Sequence, residues 1–119
     1  MAINPRNPPN VFRVVVTNPA TRHSFMSYAT LGKFPAVNAT KADLLSWLAV
    51  STFSTLGQAH ELALKFPRMG DWIAEIDLTA LKTRNWACSP PSRAGHIDLY
   101  NVAPEDLSQA VVAITPVAR

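Results

Sequence analysis

Between Trp72 and Thr115 the chain carries several runs of strand character set only a few residues apart. A parallel pair needs a crossover of roughly a dozen residues or more, so such gaps fit antiparallel neighbours rather than a regular βαβ series. Trp72–Leu78 alternates, with Trp72, Ala74, Ile76 and Leu78 inward and Ile73, Glu75 and Asp77 on the other face. Leu81–Trp86 is a further expected strand, and Cys88–Gly95, broken by Pro90, Pro91 and Gly95, is a loop. His96–Tyr100 alternates again, and its pattern predicts His96, Asp98 and Tyr100 facing solvent. Pro104, Glu105 and Asp106 open a short helix, and Val111–Thr115 is a last strand before Pro116.

The first half mixes elements more finely. Val11–Val16 is a β-branched strand with Phe12, Val14 and Val16 on one face and Val11, Arg13 and Val15 on the other. Thr21–Leu31 reads as a short helix stopped by Gly32, with Phe25, Tyr28 and Ala29 at helical spacing. Thr40–Asp43 resembles a capping box and opens a helical turn towards Trp47. Leu48–Phe53 fits either a strand or a continued helix. Ser54 then caps a helix with Leu56, Ala59, Leu62, Ala63 and Phe66 on one face, ended by Pro67. Residues 1–10, with three prolines and three asparagines, read as an extended or disordered lead-in to a single domain at 11–119. The expected class is α+β: a mixed, mostly antiparallel sheet of about five or six strands, with two or three short helices packed against it.

Composition permits a real core, since apolar residues make up 48% of the 119 and charged residues 16%. The net charge of +3 comes from scattered basic residues, not the stripe that marks nucleic-acid binding. Cys88 is the single cysteine, so no internal disulfide forms. The sequence shows no signal-peptide pattern and no run of ~20 apolar residues, so the expected location is cytoplasmic with no membrane partner. His23, His60, His96 and Cys88 share no metal-ligand spacing, and no metal site is expected. His96-x-Asp98 lacks a G-x-S-x-G nucleophile turn, and the four isolated glycines form no phosphate loop.

Arg13 is the residue that calls for explanation. A charge centred in an apolar strand must pair, snorkel or face a polar cleft. It either forms a cross-strand ion pair with Glu75 or Asp77, or joins Ser51, Thr52 and Glu75 around a phosphorylated, ribose-containing ligand.

Val50–Ala63 and Gly70–Leu78, with Phe12-Arg13-Val14 before and His96-x-x-Leu99 through Val112 after, resemble a group of short uncharacterised bacterial proteins. More distantly, the order resembles the ADP-ribosyltransferase-like fold, including the NAD-consuming RES-type toxins. That resemblance implies an NAD site in which Arg13 holds phosphate or ribose, Ser51 and Thr52 orient the ring, and Glu75 is the catalytic carboxylate. Glu75-x-Asp77 departs from the family's Q/E-x-E signature, and Phe53 interrupts the run of Ser51, Thr52 and Ser54.

Three functional expectations follow. The leading one is a ligand- or partner-binding accessory domain without a cofactor, its pocket aromatic and apolar (Phe25, Tyr28, Trp47, Trp86). The second is the NAD-consuming enzyme. The third is a homodimer paired through Val111–Thr115.

Overall fold

Antiparallel pairing runs through the whole sheet. The computed structural model describes residues 10–27, 38, 40–41, 48–82 and 86–119. Six strands lie in the order β4-β5-β2-β1-β3-β6, namely Ala87–Cys88, His96–Tyr100, Val50–Phe53, Asn10–Val15, Trp72–Asp77 and Val111–Pro116. Every neighbouring pair is antiparallel. Helix α1 is Leu56–Lys65 and α2 is Pro104–Gln109, joined by 3-10 turns at Arg22–Phe25, Pro67–Met69 and Leu78–Ala80. This is the expected α+β class. No helix among the described residues is long and apolar enough to cross a membrane.

The sheet buries both faces, and each has its own core. On one side Val11, Val15, Phe25, Val50, Ala74, Ile76, Ile97, Leu99 and Leu107 pack beneath α2 and the Arg22–Phe25 turn. On the other, Val14, Phe53, Ile73 and Val117 pack against Ala59 and Ala63 of α1. Ile73 therefore points away from Ile76 yet is equally buried, because α1 covers that end of β3. Each such buried aliphatic side chain contributes about 1.5–3 kcal/mol relative to exposure.

Only the middle of the expected apolar stripe of α1 reaches the sheet. Ala59 and Ala63 are fully buried and let the helix lie close, while Leu56 and Phe66 stay exposed at its two ends. The cap is Thr55 rather than Ser54: Thr55 is extended, and its Oγ1 accepts from the Gln58 N–H at 3.2 Å. Ser54 instead donates its hydroxyl to Gln58 Oε1 at 2.6 Å. Thr55→Ala is expected to cost about 1 kcal/mol, read as a lower urea midpoint at unchanged m-value.

Several expectations are corrected. Leu48–Phe53 resolves as strand β2 from Val50 onward. No α-helix begins at Thr21; Arg22–Phe25 is a single 3-10 turn, and Met26 and Ser27 leave it. Arg13 ties this turn to β1, its Nε donating at 2.8 Å to the Ser24 carbonyl. A short strand stands at Ala87–Cys88, and Leu81 follows a 3-10 turn that Asp77 caps through Thr79, while residues 83–85 of the strand expected at Leu81–Trp86 lie outside the described residues. Asn10 belongs to β1, where its side chain donates to Glu75 Oε2 at 2.7 Å. The remainder of the lead-in and most of the turn opening at Thr40 lie outside the described residues.

Strand β6 forms one edge of the sheet, as the dimer reading requires. Its register slips between Glu75 and Ile76 of β3, which sets Val112 out as a bulge, and Pro116 ends it. Both features blunt an edge against pairing with another chain.

Candidate functional site

The polar residues of β2 and β5 are brought together by strand pairing. Ser51 lies opposite Asp98, and Phe53 lies opposite His96. Alternation then sends Ser51, Phe53, His96, Asp98 and Tyr100 to the face that carries α1. Ser51 and His96 are diagonal neighbours there, and Ser51 Oγ sits 2.6 Å from His96 Nε2. The same nitrogen is 3.2 Å from Asp98 Oδ1. Asp98 was expected at the surface, but the residue is buried at 7% exposure, with the Tyr100 hydroxyl 3.5 Å from its Oδ2. Burial first, then the Asp98 charge and its hydrogen bond, holds the Tyr100 phenol above its ordinary range. It thus stays a donor.

The loop between β4 and β5 fixes this cluster from one side. Ser92 Oγ accepts from the His96 N–H at 3.1 Å, and Ser89 Oγ from the Asp98 N–H at 2.9 Å. Gly95, at φ 77°, presses against the side chain of Gln58 and passes its carbonyl to the Ser54 N–H at 2.9 Å. The loop is thereby tied to the start of α1. The His96 ring also lies 5.5 Å from the Phe53 ring, tilted by 48°.

Above Ser51 and His96 is an open hollow of about 730 Å³, lined further by Phe53, Leu62, Phe66, Arg68, Met69 and Ala94. Phe66 and Met69 are 56% and 39% exposed, which leaves a run of apolar surface uncovered around a polar floor. Concave, mostly apolar sites of roughly 300–1,000 Å³ with a few placed polar groups are the usual form of a small-molecule pocket.

Ser51 Oγ and Asp98 Oδ1 lie against the same ring nitrogen of His96, at 2.6 and 3.2 Å. In a nucleophile–base–acid relay the hydroxyl and the carboxylate hold opposite ring nitrogens. Here both lie at one, so the three side chains do not form that relay, and the floor is a polar cluster carrying a hydroxyl and an imidazole.

The other predicted site residues lie elsewhere. Arg13 pairs in register with Ala74, whereas Glu75 pairs with Phe12, so their side chains leave the sheet on opposite faces. They do not meet in one concavity, and neither Glu75 nor Asp77 is positioned to form an ion pair with Arg13. Arg13 instead donates to the backbone oxygens of Ser24 and Ser51, at 2.8 and 2.6 Å. Thr52 is buried on the Arg13 face, its hydroxyl donated to the Ile97 carbonyl at 2.8 Å. Phe25 is core and Trp86 packs against it; Tyr28 and Trp47 lie outside the described residues. Of Arg13, Ser51 and Thr52, the described members of the expected ligand-binding set, Ser51 alone reaches the hollow. Among the described residues, no group of three or more His, Cys, Asp or Glu is arranged to hold a metal ion. The buried Cys88 thiol has its pKa raised by desolvation.

Compared with known proteins, the chain matches no family model, no curated protein and no solved structure.

Proposed function

We propose that this domain binds a small amphipathic molecule in the hollow above Ser51 and His96. The observation that carries the reading is the pairing of a polar floor with uncovered apolar walls in one concavity. A ligand lying there covers Phe66 and Met69, whose exposure is otherwise an uncompensated cost.

The test is a titration with the neutral fluorescent amine N-phenyl-1-naphthylamine, which brightens on leaving water. Phe66→Ala combined with Met69→Ala should weaken binding at least tenfold, since each large apolar side chain offers about 1.5–3 kcal/mol on full burial. Both positions are exposed, so the fold should tolerate the change. Val112→Ala, on the far edge of the sheet and also exposed, should leave the titration unchanged. Absent binding in the wild type, or equal binding in the double variant, would remove this reading.

A further inference from the structure

We infer that the molecule taken by the hollow is a single-chain carboxylate, its head group held by Arg68 and the Ser51 hydroxyl, an inference that rests on the hollow being a binding site. Among the described lining residues Arg68 is the permanently charged one, and no described carboxylate forms an ion pair with it. It follows Phe66 and Pro67 in the 3-10 turn that ends at Met69, so the chain sets a cation between two apolar wall residues. A guanidinium binds carboxylates through charge-assisted hydrogen bonds, and the floor adds the Ser51 hydroxyl.

Two nearby features oppose an anion, and both are muted. The Asp98 carboxylate is only 10% exposed, with its Oδ1 3.2 Å from His96 Nε2. The C-terminal end of α1 carries negative partial charge. Two of the carbonyls in its last turn are occupied, however: Leu62 O accepts from the Phe66 N–H at 2.9 Å, and Ala63 O from Arg119 Nη2 at 3.4 Å. The walls Phe53, Leu62, Phe66 and Met69 then take the alkyl chain. A hollow of about 730 Å³ has room for one alkyl chain.

The experiment displaces N-phenyl-1-naphthylamine from the full chain with octanoate, octanol or octyltrimethylammonium, in wild type and in Arg68→Ala. Octanoate should compete about tenfold more strongly than octanol, and the cation more weakly than either. Arg68→Ala should bring octanoate close to octanol and leave octanol itself unchanged. Arg68 is exposed, so the variant should fold. If octanol competes as well as octanoate in the wild type, the carboxylate assignment fails while the hollow stands as a binding site. If none of the three displaces the dye, both fail. Capture on anionic phospholipid vesicles that octanoate does not reverse would overturn the single-chain assignment in favour of a lipid surface.

Discussion

Gly70→Ala is expected to lower stability by roughly 3 kcal/mol or more. Gly70 sits at φ 152°, and a Cβ there would lie 2.1 Å from the Val15 carbonyl oxygen and 2.5 Å from its carbon. Both obstacles are backbone. They cannot rotate aside as a flexible side chain would, so the end of β1 or the start of β3 must move. That movement would disturb the Val15–Trp72 register, the last pair of the β1–β3 ladder. The Tm should fall by on the order of 10 °C for a domain of this size. Gly57→Ala is the control, because nothing lies within 4 Å of a Cβ there and the residue is already helical. It should be neutral or stabilise by up to about 1 kcal/mol. A cost below about 1 kcal/mol for Gly70→Ala would show that β1 and β3 do not meet as described.

Arg13→Met should be the second large effect, at about 2–3 kcal/mol, and should spare the hollow. The guanidinium donates to two carbonyls from different parts of the chain, Ser24 in the 3-10 turn and Ser51 in β2. Methionine keeps most of the apolar stem and removes the donors, so partly buried acceptors lose charge-assisted bonds. Urea unfolding measures the cost. Titration with N-phenyl-1-naphthylamine, done below the unfolding transition, should give wild-type affinity, because Arg13 belongs to the opposite face. Weakened dye binding at unchanged stability would make Arg13 a ligand residue after all.

That second result bears on what a reader of the sequence can see. The alternation at Trp72–Leu78 and His96–Tyr100 is local, and both strands lie where the pattern puts them. Arg13 stood out correctly as a charge in an apolar strand, yet it donates to the main-chain oxygens of Ser24 and Ser51, which no residue pattern advertises. The pairing of Ser51 with His96 joins positions 45 apart in sequence, through a register fixed by tertiary packing. Period-two alternation put His96, Asp98 and Tyr100 on one face; it did not say that β2 and α1 would cover it. The hollow was less legible still. Phe66 looked like the last core residue of α1, and Arg68 and Met69 follow it in the 3-10 turn after the helix. Their shared role depends on where the helix overhangs the sheet, which rests on the close approach allowed by Ala59 and Ala63. Even the cap moved by one residue, because Ser54 is held by Gln58 and by Gly95 before it can turn to the helix.

The most direct test of a binding site at this hollow is the imidazole NMR spectrum during a titration with N-phenyl-1-naphthylamine. His96 lines the hollow, whereas His60, on α1, has its ring hydrogen-bonded at 2.8 Å to the carbonyl of Ala118, beyond β6. The ring signals of His96 should shift in step with the dye's fluorescence while those of His60 stay in place. If the dye saturates and the His96 signals do not move, the ligand is bound elsewhere and the hollow is only surface.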